Sequence, residues 1–138
     1  MNADPARDRL QNVTGHRETY TILYYHVVFS THMRRRMIKD EWVDRLHAFL
    51  GGIVRGQGGS AIVGGVEDHV HMLIGLKPSH RLSDVMREVK HESSRWVHET
   101  IRERGFAWQK GYSAFTVSPL ACEKIKEYIA NQREHHAR

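Results

Sequence analysis

The chain has 138 residues, of which 40% are apolar and 27% are charged, a balance that suits one soluble domain and excludes a disordered polypeptide. No apolar run approaches the ~20 residues that a membrane-spanning helix needs, and the N-terminal residues lack the apolar stretch of a secretory signal. The single cysteine, Cys122, excludes an internal disulfide framework and a cysteine-based zinc ribbon. We therefore expect a cytoplasmic protein without a membrane partner.

The charge balance points to the class of partner. Lysine and arginine number 21 against 16 aspartate and glutamate residues, which gives a net charge of +5. The resulting isoelectric point is about 9.6. A small basic domain of this kind is typical of proteins that bind a polyanion such as nucleic acid. Many basic proteins bind no nucleic acid, however, so the charge alone leaves the partner open.

The first half of the chain predicts an arm, a strand and a helix. Residues 1–18 show no hydrophobic periodicity and are expected to form a flexible N-terminal arm, with a single domain over residues 19–138. Tyr20–Ser30 is rich in β-branched and aromatic residues on both alternating faces, which predicts a central strand. From Ile38 to Arg55, apolar residues recur at helical spacing and predict the first helix.

Two short strands are predicted next, at Ser60–Val66 and His69–Leu76. They are separated by only two residues, the spacing of a hairpin. An amphipathic pattern then runs from Leu82 to about Arg104 and predicts a second, long helix with a charged outer face.

The end of the chain predicts a fourth strand and a final helix. Tyr112–Val117 reads as a strand, and Ser118 with Pro119 is a typical helix start, with a serine N-cap and proline at the first helical position. The complete order is β-α-β-β-α-β-α. This order predicts an α+β, ferredoxin-like (split β-α-β) antiparallel sheet with helices packed on it and an appended C-terminal helix.

His69 and His71 are the first candidate site residues. Because they lie two residues apart on a predicted strand, their side chains leave the same face, with Cα atoms roughly 6.5–7 Å apart. Val70 and Met72 would then pack into the core behind them. Two imidazoles in this arrangement can bind one divalent metal ion. Two packed structural histidines would show the same pattern, so the pair alone does not decide between them.

Tyr128 and Gln132 are the second candidate pair. Four residues apart on the final predicted helix, they lie one turn apart on the same face. A tyrosine near a metal ion can attack a phosphate, and a glutamine carbonyl oxygen is an acceptable hard ligand. Most helical tyrosines simply bury the ring and leave the hydroxyl in water, so this pair also leaves both interpretations open.

The two pairs together resemble the single-tyrosine HUH transposases of the insertion-sequence 200/605 family and the related REP-associated tyrosine transposases. Three further stretches are similar to that family. YHVVFSTHMRRRMI is similar to its first strand and basic turn, GGVEDHVHMLIGLKP to its metal-site hairpin, and VSPLACEKIKEYIANQREHH to its nucleophile helix. The resemblance covers residues 20–136, almost the whole chain.

The resemblance implies a specific activity. Such enzymes cleave and rejoin hairpin-containing single-stranded DNA, or palindromic element ends, through a 5′-phosphotyrosine intermediate. By position, Tyr128 would be the nucleophile, and His69, His71 and Gln132 would bind Mg²⁺ or Mn²⁺. The resemblance also implies a homodimer in which the tyrosine helix is shared in trans, so that it serves the partner's histidine pair.

The DNA contacts are predicted from basic and aromatic residues. A dense basic turn can hold a phosphate backbone, and an aromatic ring can stack on an unpaired base, although each such residue can equally be solvated or packed in the core. The candidates are Arg34, Arg35, Arg36, Lys90, Trp108 and Lys110. Two alternative functions remain: a non-catalytic or domesticated hairpin DNA-binding protein on the same fold, and an RNA-binding ferredoxin-like module. The RNA-binding module would need exposed aromatic residues on its sheet.

Overall fold

A four-stranded antiparallel sheet organises the molecule. The structure, a computed structural model, describes residues 21–132, so the arm predicted over residues 1–18 lies outside the described range. The strands are β1 (Leu23–Ser30), β2 (Ser60–Val66), β3 (His69–Leu76) and β4 (Ser113–Val117), in the sheet order β2-β3-β1-β4. β3 pairs with β1 and β2 on its two sides, and β1 also pairs with β4. The predicted α+β, split β-α-β sheet is therefore confirmed.

Two helices cover one face of this sheet and enclose the main core. They are α1 (Val43–Gly56) and α2 (Leu82–Trp96), and α2 continues into a π-helical turn over Val97–Ile101. Alternate residues of β1 and β3 meet the apolar faces of the two helices. The buried side chains include Val27, Phe29, Leu46, Leu50, Val70, Met72, Val85 and Met86. No helix within residues 21–132 is long and apolar enough to cross a membrane.

The start of α1 differs from the prediction. The apolar periodicity placed it at Ile38, whereas the helix begins at Val43. Ile38 and Trp42 are nevertheless buried. The reason is that the chain between β1 and α1 runs beside the β2–β3 turn, where the Ile38 amide donates a 2.9 Å hydrogen bond to the carbonyl of Glu67. Their apolar character reflects burial of a connecting segment and not a helical face.

The C-terminal helix α3 (Cys122–Ala130) packs on the opposite face of the sheet, against β2 and β3. A 3-10 turn over Pro119–Ala121 precedes it, so the α-helix starts at Cys122 and later than predicted. The predicted N-cap, Ser118, makes no capping hydrogen bond with its side chain. Ile129 and Cys122 bury themselves against Leu73 in a small second cluster.

Gly64 on β2 allows this close approach of α3. A Cβ atom at position 64 would lie 2.5 Å from the carbonyl oxygen of Ile129 and 2.6 Å from its Cγ2 atom. Glycine is therefore required here by the distance between strand and helix. This contact between β2 and α3 sets the distance of α3 from the sheet, and thus from the neighbouring strand β3.

Candidate functional site

His69 and His71 share the sheet face on which α3 packs. Strand alternation places Val70 and Met72 in the main core, both fully buried, and directs the two histidines to the other side. The imidazole centroids are 5.1 Å apart, and both residues are buried. The two-residue spacing thus brings two ring systems together on a central strand, where the sheet on either side fixes their backbone.

Asp68 holds the ring of His69. Its Oδ1 atom is 2.6 Å from His69 Nδ1, and its Oδ2 atom is 3.5 Å from Arg34 Nε. Burial raises the pKa of Asp68, but the hydrogen bond and charge of His69 and the charge of Arg34 outweigh it, so that the pKa lies below its ordinary value. Asp68 is therefore an anion that accepts a hydrogen bond from His69 Nδ1. This directs His69 Nε2 towards Gln132, whose Oε1 atom is 3.4 Å away.

His26 on β1 is a site residue that the sequence reasoning missed. Its Nε2 atom is 2.9 Å from His71 Nδ1, and the two rings stack with centroids 5.1 Å apart and planes inclined by 27°. Burial lowers the pKa of His26, which favours the neutral ring. The β1–β3 register pairs His26 with Leu73 and Val28 with His71, so His26 and His71 are diagonal neighbours. No spacing within a single strand reveals such a pair.

Tyr128 and Gln132 approach the histidines from α3 and the residues just after it. The Tyr128 ring stands nearly perpendicular to the rings of His71 and His26, with an angle of 79° to each. The centroid distances are 5.4 Å to His71 and 6.1 Å to His26. Tyr128 is 43% exposed, whereas Gln132 is only 1% exposed. Gln132 Nε2 donates to the Tyr128 carbonyl at 3.2 Å, which turns Oε1 towards His69. The four-residue spacing therefore presents both side chains to the histidine pair.

An open cleft of about 640 Å³ lies in front of these residues. His69, His71 and Tyr128 border it, and Arg34 and Lys110 contribute positive charge. Its other lining residues are Val28, Phe29, Ser30, Gln109, Gly111, Tyr112 and Ser113. Two of the six predicted DNA contacts, Arg34 and Lys110, thus line the same cleft as the predicted nucleophile. Two of the three predicted metal ligands, His69 and His71, line it as well.

The remaining arginines and Trp108 lie elsewhere. Arg35 and Arg36 do not line the cleft, and Arg36 forms a 3.7 Å ion pair with Glu67. The Trp108 ring packs edge-on against Phe29 and Phe106 of the core, and its Nε1 atom donates to Ser93 Oγ at 2.9 Å. The position of Trp108 gives no support to the predicted stacking on bases, because its indole packs against core residues.

Lys90 supports one wall of the cleft. Its Nζ atom donates to the carbonyl oxygens of Gln109 and Gly111, at 2.5 and 2.7 Å. Burial lowers the pKa of Lys90. Gln109 in turn accepts a hydrogen bond from the Met33 amide at 2.9 Å. The contacts of Lys90 therefore indicate that it fixes the segment that carries Lys110, rather than reaching the cleft itself.

The donor set of His69, His71 and Gln132 fits a small divalent ion. The amide oxygen is a ligand that Mg²⁺ and Mn²⁺ accept, and the two imidazole nitrogens favour a divalent transition metal such as Mn²⁺, with positions left for phosphate and water. Adjacent ligands of an octahedral ion are about 3 Å apart, close to the 3.4 Å between His69 Nε2 and Gln132 Oε1. Residues 21–132 contain no cluster of three or more histidine, cysteine or acidic side chains able to hold a metal. Among the described residues, the predicted set thus takes its third ligand from an amide, Gln132.

Sequence comparisons connect this arrangement with known proteins. A family model described as "Transposase IS200 like" matches residues 19–132. The ISDra2 transposase TnpA of Deinococcus radiodurans is 28% identical over 119 residues, which cover 81% of this chain and 85% of that protein. The transposase for insertion sequence element IS200 of Salmonella typhimurium is 29% identical over 118 residues, which cover 80% of this chain and 76% of that protein.

Two solved structures share the fold. A crystal structure of a transposase from Deinococcus radiodurans R1 is similar with a TM-score of 0.67 and 28% identity, over 84% of this chain and 95% of that one. The structure of a REP-associated tyrosine transposase bound to a REP hairpin has a TM-score of 0.63 and 14% identity, over 87% of this chain and 72% of that one. At that identity, the second likeness concerns the fold alone.

Proposed function

The chain belongs to the IS200-like transposase family, and from this premise we propose that it cleaves and rejoins single-stranded DNA beside a hairpin through a covalent bond between Tyr128 and a 5′-phosphate. The observation that carries the proposal is the convergence of Tyr128, His69 and His71 on one cleft, with Gln132 beside His69. The neighbour bound to a REP hairpin supports a hairpin as the DNA partner.

The residues divide the work between binding and attack. His69, His71 and Gln132 would hold the divalent ion, which supplies Lewis-acid stabilisation of charge on the phosphate and the leaving oxygen. A tyrosine hydroxyl is a weak nucleophile while it is protonated, so its orientation matters. Docking of α3 against β2 and β3 holds Tyr128 beside the histidine rings and limits the directions from which it can attack.

The proposed step exchanges one phosphate ester for another. Tyr128 Oη attacks the phosphorus of the scissile linkage, and the bond from phosphorus to the 3′-oxygen of the departing strand breaks. The phenolic proton is released, and the departing oxygen takes up a proton to become a 3′-hydroxyl. Attack by a 3′-hydroxyl on the phosphotyrosine reverses the exchange and restores the phenol. Because the number of phosphodiester bonds is conserved, no nucleotide cofactor is required.

The charges around the cleft favour a phosphate backbone. Arg34 and Lys110 line it from two different segments, and Arg34 is also paired with Asp68 at 3.5 Å. Contacts of this type position a DNA strand without reading its sequence. They also make DNA binding weaken as the salt concentration rises. The reason is that protein binding releases counterions condensed on the DNA, and added salt opposes that release.

Two tyrosines of the same cleft provide the test of the nucleophile. Tyr128→Phe removes only a hydroxyl, so it should fold and bind labelled hairpin DNA but form no covalent adduct on a denaturing gel with Mg²⁺ or Mn²⁺. Tyr112→Phe is the matched control, since Tyr112 also lines the cleft and is 39% exposed. The control should form the adduct. Adduct formation by Tyr128→Phe, together with its loss in Tyr112→Phe, would transfer the role to Tyr112.

We further propose a homodimer in which α3 serves the histidine pair of the partner. In the single chain α3 lies on its own sheet, joined to β4 only by the short segment around the Pro119–Ala121 turn. A terminal element attached in this way can be exchanged between two copies at little cost.

Mixing two inactive variants tests the exchange. His69→Ala and Tyr128→Phe should each be inactive alone, and mixed dimers should regain cleavage at the one site that combines an intact histidine pair with an intact tyrosine. Mixed dimers that remain silent would refute the exchange, and a monomer in analytical ultracentrifugation would refute the dimer.

The alternative functions make different predictions. A non-catalytic hairpin-binding protein would form no adduct even as the wild type. An RNA-binding module would need a surface of exposed aromatic residues, yet α3 covers β2 and β3, and Phe115 is the one exposed aromatic side chain on the strands of the described residues. The transposase proposal therefore accounts for more of this face than either alternative does.

A further inference from the structure

Each histidine of the proposed metal site has a hydrogen-bond partner behind it. His69 Nδ1 is 2.6 Å from Asp68, and His71 Nδ1 is 2.9 Å from His26 Nε2. Histidines that bind metals characteristically donate their second ring nitrogen to such a partner, which fixes both the tautomer and the orientation of the ring. Asp68 is a carboxylate, one of the usual kinds of partner. His26 is a different kind, because an imidazole can either donate or accept.

The direction of the hydrogen bond between His26 and His71 decides which nitrogen His71 offers. A contact of 2.9 Å between two ring nitrogens requires one to donate and the other to accept. If His71 Nδ1 donates, the proton is on Nδ1 and Nε2 keeps its lone pair. If Nδ1 accepts, a neutral His71 carries its proton on Nε2 and has no lone pair left for an ion.

We propose that His26 is a positioning residue that accepts a hydrogen bond from His71 Nδ1 and so reserves His71 Nε2 as a ligand for the divalent ion. This inference rests on the proposed function, because it concerns the same metal site. It assigns to β1 a part in a site whose other members lie on β3 and at the end of α3. His26 itself would then carry its proton on Nδ1.

The surroundings of His26 suit this role. β1 is an inner strand, paired on both sides by β3 and β4, and the adjacent Val27 is fully buried in the main core. The stacking of the two rings at 27° further restricts rotation of His71. His26 also meets the edge of Tyr128 at a centroid distance of 6.1 Å, so one side chain contacts both the proposed ligand and the proposed nucleophile.

Two substitutions separate hydrogen bonding from ring packing. His26→Phe keeps an aromatic ring but removes the acceptor, whereas His26→Gln keeps an acceptor in a side chain of similar reach. His98→Gln is the matched control: His98 is also half-buried and also makes a hydrogen bond through Nε2, to the carbonyl of Phe106 at 2.6 Å, but it does not border the cleft.

The first measurement reads the tautomer without metal. Long-range ¹H–¹⁵N correlation spectra of the metal-free protein identify the protonated nitrogen of each neutral imidazole. We expect His71 to be protonated on Nδ1 in the wild type and in His26→Gln, and to shift towards the Nε2-protonated form in His26→Phe. A wild-type His71 protonated on Nε2 would overturn the proposal, whether or not the variants fold.

The second measurement is Mn²⁺ affinity, by calorimetric titration. Loss of such a partner typically weakens metal binding by about 10–100-fold. We expect a loss of this size in His26→Phe, recovery of most of it in His26→Gln, and wild-type affinity in His98→Gln. Equal affinity and an equal tautomer in folded His26→Phe would overturn the inference. If the wild type neither bound Mn²⁺ nor formed the DNA adduct, the proposed function would fail instead, while the metal-free spectra would still decide the hydrogen bond.

Discussion

Replacing Gly64 with alanine should disturb the site without touching any of its polar residues. The added Cβ atom would lie 2.5 Å from the Ile129 carbonyl oxygen, about 1 Å closer than ordinary van der Waals contact. Its neighbour is helix backbone, which cannot rotate away as a flexible side chain can. The strain is therefore relieved only if α3 moves outward from β2 as a unit.

The expected magnitude follows from this displacement. Inserting a methyl group into a packed contact costs about 1–3 kcal/mol in the free energy of unfolding. Part of that cost is offset, because alanine is favoured over glycine within a strand by roughly 0.5–1 kcal/mol. We expect a net destabilisation of about 0.5–2 kcal/mol. The effect on cleavage should be larger, since misplacing a reacting group by about 1 Å can reduce the rate ~100-fold.

Denaturant unfolding and the rate of adduct formation are the two measurements. Gly52→Ala is the matched control, because an added Cβ at position 52 meets nothing within 4 Å and the residue lies in α1. The control should be stabilised by about 0.5–1 kcal/mol and cleave normally. If Gly64→Ala unfolded like the wild type and formed adduct at the wild-type rate, α3 would not be seated on β2 as described.

Four further predictions concern the site and its surroundings. Asp68→Asn should weaken Mn²⁺ binding in calorimetry by about 10–100-fold, since His69 loses an anionic acceptor; unchanged affinity would mean that other contacts hold the ring. Because the pKa of Asp68 is lowered in the folded chain, its contribution to stability is present above the ordinary value of 3.8 and is lost as the pH falls through the folded pKa. Denaturant titrations from about pH 5 to about pH 3 should therefore show a smaller loss of stability in Asp68→Asn than in the wild type, and equal losses would contradict the assigned direction. Lys90→Met should lower the free energy of unfolding by about 1 kcal/mol, because the Gln109 and Gly111 carbonyls lose a donor, and a stability equal to that of the wild type would remove Lys90 from the support of this wall. A chelator should abolish the DNA adduct while gel-shift assays still detect hairpin binding, whereas adduct formed in its presence would argue against the metal.

The parts of the site that depend on spacing along one element could be predicted from the sequence. His69 and His71 share a face because a strand repeats every two residues, and Tyr128 and Gln132 share one because a helix turn brings residues four apart together. The element order predicted the sheet topology for a related reason, since short connections leave few arrangements. These predictions needed no knowledge of what each element packs against.

The parts that depend on pairing between elements could not be predicted in this way. His26 reaches His71 only through the register of β1 against β3, which no local pattern contains. Trp108 packs on the core because Phe29, from the distant strand β1, meets its ring and Ser93, from α2, accepts a hydrogen bond from its Nε1 atom. The late start of α1 has the same origin, since the residues before it are buried by a turn that belongs to the β2–β3 hairpin.

The small cluster beneath α3 makes the docking of the tyrosine helix a separate equilibrium from the folding of the main core. α3 has nine residues, shorter than the ~12–15 that an isolated helix needs in water, so it is helical only while it is docked. Its buried anchor is the separate group of Leu73, Cys122 and Ile129, and burial of a side chain such as Ile129 contributes only about 1.5–3 kcal/mol. Opening of α3 is thus a sub-global event that leaves the sheet intact. This local equilibrium sets the fraction of molecules in which Tyr128 lies beside the histidine pair, whereas the positions of His69 and His71 relative to each other are fixed by the central strand β3.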